Sequence, residues 1–368
     1  MPNRNQLPVI IFTGPQGESD PERWVAGACR ANTADLIERA TQVPCLRPIL
    51  LAAPAGAWDE SLARFPIELV ADPPDGPFHF GRRLKEIVAR YRLPRFLYMG
   101  GGTGALMDTA ELAGLAAQAL RLERAVLTNN LFSTDFAAVA PASALDSIEP
   151  PDADNDLAWR LHKSGLPVES LPASAATRLD LDTPNDLLVA AQHPSCGPRL
   201  RRFVAGLPLD TSRLRRIVAE MRSPRGEVLV YGRVGSAVWA RLERLPCQTR
   251  VFAEERGMRA SGRLARGQVY AWLGAFLEQA GAQPFFASLA RSCTAALLDT
   301  RPLFAHLRLW PAASDRFFSD LLQPERIADP TIRAFTEAAL AASVPIMLGG
   351  QALVSGDLLA LAEISEEA

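Results

Sequence analysis

From residue 8 to residue 192, short apolar runs alternate with segments that carry helix-start signals. That alternation leaves little room for anything but a sheet with helices on both faces. Residues 8–12 are an apolar run that opens into Thr13-Gly14-Pro15-Gln16-Gly17. Ser19 stands three residues before Glu22, a capping box, and Pro21 falls in the first turn of the helix it would start. Residues 49–53 and 67–71 read as further strands. Leu84, Ile87, Val88 and Tyr91 share one face of a helix over 80–91. Residues 95–99 form a strand ending in Gly100-Gly101-Gly102-Thr103-Gly104, and Asp108 with Glu111 starts the next helix. Then come a strand at 125–128, a helix at 155–163, a strand at 168–171, and a segment 178–181 running into a helix at Thr183-Pro184-Asn185-Asp186.

The stretch 193–198, with two prolines, a glycine and a serine, reads as a linker, so the domains are expected at 1–196 and 197–368. A length of 368 residues agrees with two domains. Residues 227–232 and 249–253 are strands flanking a helix at 236–245. From residue 267 apolar residues recur at helical spacing, so the second domain is expected to be mainly helical after a short βαβ start. No internal repeat is visible.

Charge and cysteine usage narrow the environment. The five cysteines are scattered with no metal-ligand spacing, and the N-terminus lacks a basic stretch followed by an apolar core. No run approaches the roughly 18 apolar residues of a membrane span. A cytoplasmic protein with no membrane partner is the expectation. Net charge is −2, yet residues 197–266 hold 16 arginines against six acids. Only four aromatic residues, Phe203, Tyr231, Trp239 and Phe252, are scattered among them, so solvated helix faces explain them better than nucleic acid. Only two lysines occur, Lys85 and Lys163, which limits any chemistry that needs one.

The most specific motif is Leu179-Asp180-Leu181-Asp182-Thr183-Pro184-Asn185-Asp186-Leu187. Thr183, Pro184 and Asp186 are a helix start. Asp180 and Asp182, two apart on a strand, would point the same way. Adjacent carboxylates repel unless a divalent cation, an arginine or a proton lies between them. The glycines at 100–104, at the carboxyl end of a strand, would let a ligand approach the backbone. Asn129, Asn130, Ser133 and Asp135 follow the next strand, where they could bond a base or sugar or simply form turns.

This motif resembles the C-terminal signature of nucleotidyltransferases with the glycosyltransferase-A-like fold. The likeness is to 2-phospholactate guanylyltransferase, molybdenum cofactor guanylyltransferase and a family of glycosyltransferase-like proteins. Phe80-Gly81-Arg82-Arg83-Leu84 is similar to the G-x-R-L helix of the last group, and residues 102–108 occupy the place of their G-D-x-P-x-L-T segment. Over residues 8–192 the resemblance implies a three-layer, mostly parallel sheet of the nucleotide-diphospho-sugar transferase type. It implies binding of a nucleoside triphosphate or sugar nucleotide by Thr13, Gly14, Gly17, Gly100, Gly101, Gly102, Thr103, Asn129, Asn130 and Arg82. It also implies a magnesium ion on Asp180 and Asp182, beside the 100–104 loop.

Two departures are visible. The family's first loop carries an arginine and a lysine, whereas here no cation precedes Arg23. The family's metal-binding aspartate is replaced by Thr103, which brings no charge. Transfer of a nucleotidyl group relies on neutralising phosphate charge, so catalysis is expected to be weakened or lost, leaving a nucleotide-binding regulatory or scaffold role as the alternative. Arg23, Arg82 and Arg178 are the cations left to substitute.

In the second half, Gly232-Arg233-Val234-Gly235 follows a strand, and Glu254 and Glu255 close the next. That is a partial outline of a dinucleotide-binding unit over 225–260. His306, in an apolar stretch, reads as structural. Trp310, Phe317 and Phe318 read as core or as an interface in a homo-oligomer.

Overall fold

The computed structural model describes residues 5–14, 17–54, 60–73, 77–259 and 261–366. Two compact units emerge. The first takes the described residues of Met1–Gln16, Ala26–Asp180 and Gly197–Leu200, and the second those of Gly17–Val25, Leu181–Cys196 and Arg201–Ala368.

The first unit is built on a seven-stranded sheet. Its strands are β1 (Val9–Phe12), β2 (Ile49–Ala53), β3 (Ile67–Ala71), β4 (Phe96–Gly100), β5 (Ala125–Thr128), β6 (Phe136–Ala140) and β7 (Val168–Ser170), in the order β3-β2-β1-β4-β6-β5-β7. All neighbours pair in parallel except β6, which is antiparallel to both β4 and β5. The helices are α1 (Asp20–Thr41), which belongs to this unit from Ala26 on, α2 (Phe80–Arg90), α3 (Thr109–Leu120), α4 (Leu157–Lys163) and α5 (Ala175–Arg178).

Period-two alternation sorts the strand residues into two cores. Val9, Ile11, Leu51, Leu97 and Met99 pack with Leu36 and Ile37 of α1 and Leu112 and Leu115 of α3. Ile10, Phe12, Leu50, Phe96 and Tyr98 pack with Leu84 and Ile87 of α2 and Leu157 and Leu161 of α4. This is the three-layer α/β arrangement expected from the sequence. The strand at 136–140 has no sequence signal, because Phe-Ala-Ala-Val-Ala is buried on both faces and shows no alternation. The segment 178–181 is not a strand. Ser174 caps the single turn of α5, and the chain then runs extended from Leu179 into α6 (Pro184–Gln192).

The second unit holds α7 (Pro198–Ala205), most of it, and α8 (Ser212–Arg222), then β8 (Glu227–Gly232), α9 (Ser236–Leu242) and β9 (Gln248–Ala253). There follow α10 (Trp272–Ala280), α11 (Ala282–Ala290), β10 (Ala295–Asp299), α12 (Thr300–His306) and α13 (Ala313–Asp320). The chain ends in α14 (Pro330–Leu340), β11 (Ile346–Gly349) and α15 (Gly356–Glu366). Its four strands form a fully parallel sheet in the order β11-β10-β8-β9. The unit is mainly helical by residue count but organised by this sheet. β10 and β11 lack a sequence signal for the reason that hides β6: Ala-Ala-Leu-Leu-Asp and Ile-Met-Leu-Gly are buried throughout.

Candidate functional site

In an open parallel sheet, ligands bind beyond the carboxyl ends of the strands, where the strand order reverses. In the first unit that point lies between β1 and β4, because β2 and β3 extend to one side of β1 and β4 lies on the other. Thr13 and exposed Gly14 leave β1 there, and Gly100 leaves β4.

Gly100 roofs a polar cluster. A Cβ on it would stand 3.4 Å from the Asp135 carbonyl, 3.5 Å from the Tyr98 hydroxyl and 3.8 Å from Asp154 Oδ2. The buried Tyr98 hydroxyl donates to Asp154 Oδ2 at 2.6 Å. Burial first, and then the charges of Asp154, Asp180 and Asp135, push the Tyr98 hydroxyl well above its ordinary pKa, so it stays a donor. Burial raises the Asp154 carboxyl, partly offset by the bond from Tyr98. Asp180 therefore acts on the same spot as Gly100.

Beside this cluster lies an aromatic group. The Phe12 ring, at the end of β1, meets Phe80 at 5.5 Å, Tyr98 at 5.7 Å and Phe78 edge-on at 6.0 Å. Phe78 remains 59% exposed, an apolar face at the lip of the crevice. Sequence reasoning does not find it, because a lone Phe in a loop has no periodic partner.

The rest of the glycine loop faces inward. Gly101 is buried, and a Cβ there would meet the Phe12 carbonyl at 3.0 Å and Thr33 Oγ1 at 3.3 Å. Asn32 Nδ2 donates to the carbonyls of Gly101 and Thr103, both at 2.9 Å, and Arg39 donates to Gly104 at 3.1 Å. Gly102 and Thr103 are buried with them, so these residues dock the loop on α1. Asn129 is buried; it donates to Asp135 Oδ2 at 2.5 Å and accepts from the Asp135 and Phe136 amides. Asn130 accepts from the Phe132 amide. Both asparagines shape the β5–β6 turn and hold Asp135 in place.

Arg82 is exposed on the first turn of α2, whereas its neighbour Arg83 is buried against Asp72 and the carbonyls of Val70 and Ala71. Lys85 donates to the Ile148 carbonyl, and Lys163 lies over the Trp159 ring. Both lysines are thus spoken for. Gly17 and Arg23 belong to the second unit, where a Cβ on Gly17 would collide with Glu22 and Arg23 pairs with Asp20. Arg178 ends α5.

Asp180 is the last residue of its stretch in the first unit, and Asp182 lies in the second. Asp180 is half-buried and Asp182 exposed. Among the described residues no three His, Cys, Asp or Glu side chains come together as a metal cluster. Asp154 and Asp135 are engaged by Tyr98 and Asn129.

The Thr183–Asp186 half of the motif serves the second unit. Asp186 Oδ2 accepts from the amides of Asp182 (2.8 Å) and Thr183 (2.5 Å), closing the capping box of α6. Asn185 donates to the carbonyls of Leu348 (2.6 Å) and Asp320 (3.2 Å), which locks α6 to the end of β11. Asp186 and Asp357 are both fully buried where α6 packs on α15. Burial foremost, and for Asp186 also the charge of Asp357, holds both carboxyls above the ordinary aspartate range.

The dinucleotide outline is filled by protein groups. Gly232 (φ 125°) leaves room for Asp299, which a Cβ would approach to 2.4 Å. Glu254 accepts from the Trp272 amide at 2.8 Å, capping α10, and Glu255 pairs with Arg263 at 2.9 Å. His306 is structural: its Nδ1 accepts from the Ala271 amide and its ring packs on Gly274. Phe318 is core, whereas Trp310 is 62% exposed.

No family model matches the sequence, and neither does any curated protein. Among solved structures, the chain is similar to a CMP:2-keto-3-deoxy-manno-octonic acid synthetase complexed with CTP. Identity is 14%, over 50% of this chain and 95% of that one, with a TM-score of 0.37. A cytidylyltransferase from Leptospira borgpetersenii serovar Hardjo-bovis matches at 14% identity over 52% and 86%, TM-score 0.37. The protein Rv0371c of Mycobacterium tuberculosis H37Rv matches at 16% identity over 55% and 98%, TM-score 0.34. No helix among the described residues is long and apolar enough to cross a membrane.

Proposed function

We propose that the first unit binds a nucleotide or sugar nucleotide in the crevice between β1 and β4, as a nucleotidyltransferase-like protein whose turnover is slow or absent. The observation that carries this reading is the floor beneath Gly100. Tyr98, Asp154 and Asp180 meet there at the switch point of a β3-β2-β1-β4-β6-β5-β7 sheet. A base stacks on the exposed ring of Phe78, a contact that is tolerant of base identity. Ribose or sugar hydroxyls donate to the carboxylates below Gly100. Phosphates then extend toward Arg82, which can hold them through its fork.

The electrostatics argue for binding over turnover. Three aspartates concentrate negative charge where a triphosphate would need cations, and both lysines are committed elsewhere. Nucleotidyl transfer needs that charge neutralised in the transition state. The finer resemblance to guanylyltransferases belongs to this proposal too.

Calorimetric titration with nucleoside triphosphates and sugar nucleotides, with and without magnesium, tests the reading. Binding that Phe78→Ala weakens and that magnesium barely changes is expected. Absence of binding across the panel would sink it, and robust pyrophosphate release would refute weak turnover.

A further inference from the structure

We propose that the second unit carries a separate phosphate-binding site at the carboxyl edge of its own sheet, centred on Arg316 and Arg301. Its strand order β11-β10-β8-β9 reverses between β8 and β10, so the segments leaving β8, β10 and β11 border a second crevice of the kind that binds ligands.

Cations collect there. Arg233 is internal, held by both Asp299 oxygens. Arg301, two residues past β10, meets Asp320 at 2.7 and 3.2 Å and keeps 17% of its side chain exposed. Arg316 lies one helical turn before Asp320 on α13, on the same face. It is half-buried, and its guanidinium donates to the Pro311 carbonyl at 3.3 Å. Among the described residues no carboxylate lies within ion-pair distance of it.

Burial, followed by the like charges of Arg301 and Arg259, disfavours the charged form of Arg316, while Asp320 and Glu22 act the other way. Asp320 is already matched by Arg301, and Glu22 by the Ser19 amide and hydroxyl. A partly desolvated cation beside another cation is costly unless an anion completes it. A phosphate group, with several acceptor oxygens for planar guanidinium forks, is the chemistry that fits. It could come from a free phosphate compound or from a nucleotide.

Inorganic phosphate, pyrophosphate and a nucleoside diphosphate, titrated at constant ionic strength, separate these sources. Saturable pyrophosphate binding is expected, weakened about tenfold or more by Arg316→Gln, as loss of a bidentate charged contact implies. Phe78→Ala, in the first unit, leaves it unchanged, so this site and the proposed nucleotide crevice fail separately. Should Arg316→Gln not fold, the arginine Nε–H resonances of the unaltered protein report instead, with selective shifts on adding pyrophosphate. A stronger response to the diphosphate than to pyrophosphate identifies a nucleotide as the source. No saturable binding, binding that Arg316→Gln spares, or binding abolished by Phe78→Ala would each overturn the proposal.

Discussion

The Tyr98 hydroxyl donates to Asp154 Oδ2 at 2.6 Å directly beneath Gly100, a bond made between β4 and the short turn that precedes α4. Tyr98→Phe removes the donor but keeps the ring among Phe12 and Phe80. A hydrogen bond to a charged group is worth about 1.5–3 kcal/mol, so a stability loss of that order is expected in urea unfolding. The bond lowers the Asp154 pKa, so without it the carboxyl titrates still higher. Carboxyl NMR titration reads this, and an unchanged Asp154 midpoint would show that the bond is unimportant.

Two neighbouring glycines separate folding from binding. Gly101→Ala places a methyl 3.0 Å from the Phe12 carbonyl, in a loop pinned by Asn32, and overpacking of this kind costs about 1–3 kcal/mol. Gly100→Ala meets nothing closer than 3.4 Å, so its Tm stays near that of the parent. Its methyl nevertheless intrudes over Asp154. Nucleotide affinity should fall in Gly100→Ala; equal Tm losses in both variants would contradict this division.

Asp186 and Asp357 make stability depend on pH. Burial raises both, Asp357 to about 7. The folded chain then holds protons that the unfolded chain releases. The pair's contribution is complete below about pH 4 and is lost as the pH rises through about 7. Asp357→Asn should flatten the fall in Tm between pH 5 and 8. A Tm that rises with pH over that range in the parent, and is unaffected by the substitution, would reverse the sign argued here.

Arg233 and Asp299 form a buried two-pronged ion pair at 2.6 and 3.1 Å. Removing one partner leaves the other charged and buried, a loss of about 3–5 kcal/mol, so Asp299→Ala should unfold at much lower denaturant. Gly232→Ala should be comparably damaging, because its φ of 125° and the 2.4 Å approach to Asp299 both forbid a side chain. Replacing Arg233 and Asp299 together by apolar residues should recover much of the loss. If the double variant is no better than Asp299→Ala, the pair is not the source.

Local signals carried much of the fold. The Asp108–Glu111 capping box, the strands at 49–53, 67–71, 125–128 and 227–232, and the capped start at Thr183 are all set by interactions within a few residues. Sequence could also say that the glycine loop ends a strand. It could not show that Gly101, Gly102 and Thr103 turn toward α1, because Asn32 lies about 70 positions away along the chain. β6, β10 and β11 were hidden, since a strand buried on both faces has no period to read.

The residues themselves determined the alternation of strands and helices, the scarcity of lysine, and the departure at position 103. Tertiary structure alone decided what each polar group meets. It put Asp154 under Gly100 and gave Asn185 to the ends of β11 and α13. It also brought the charge of Arg301 to bear on Arg316. Charges act over a few ångströms of space regardless of separation along the chain, and pairings between residues far apart in sequence leave no spacing rule in a single chain.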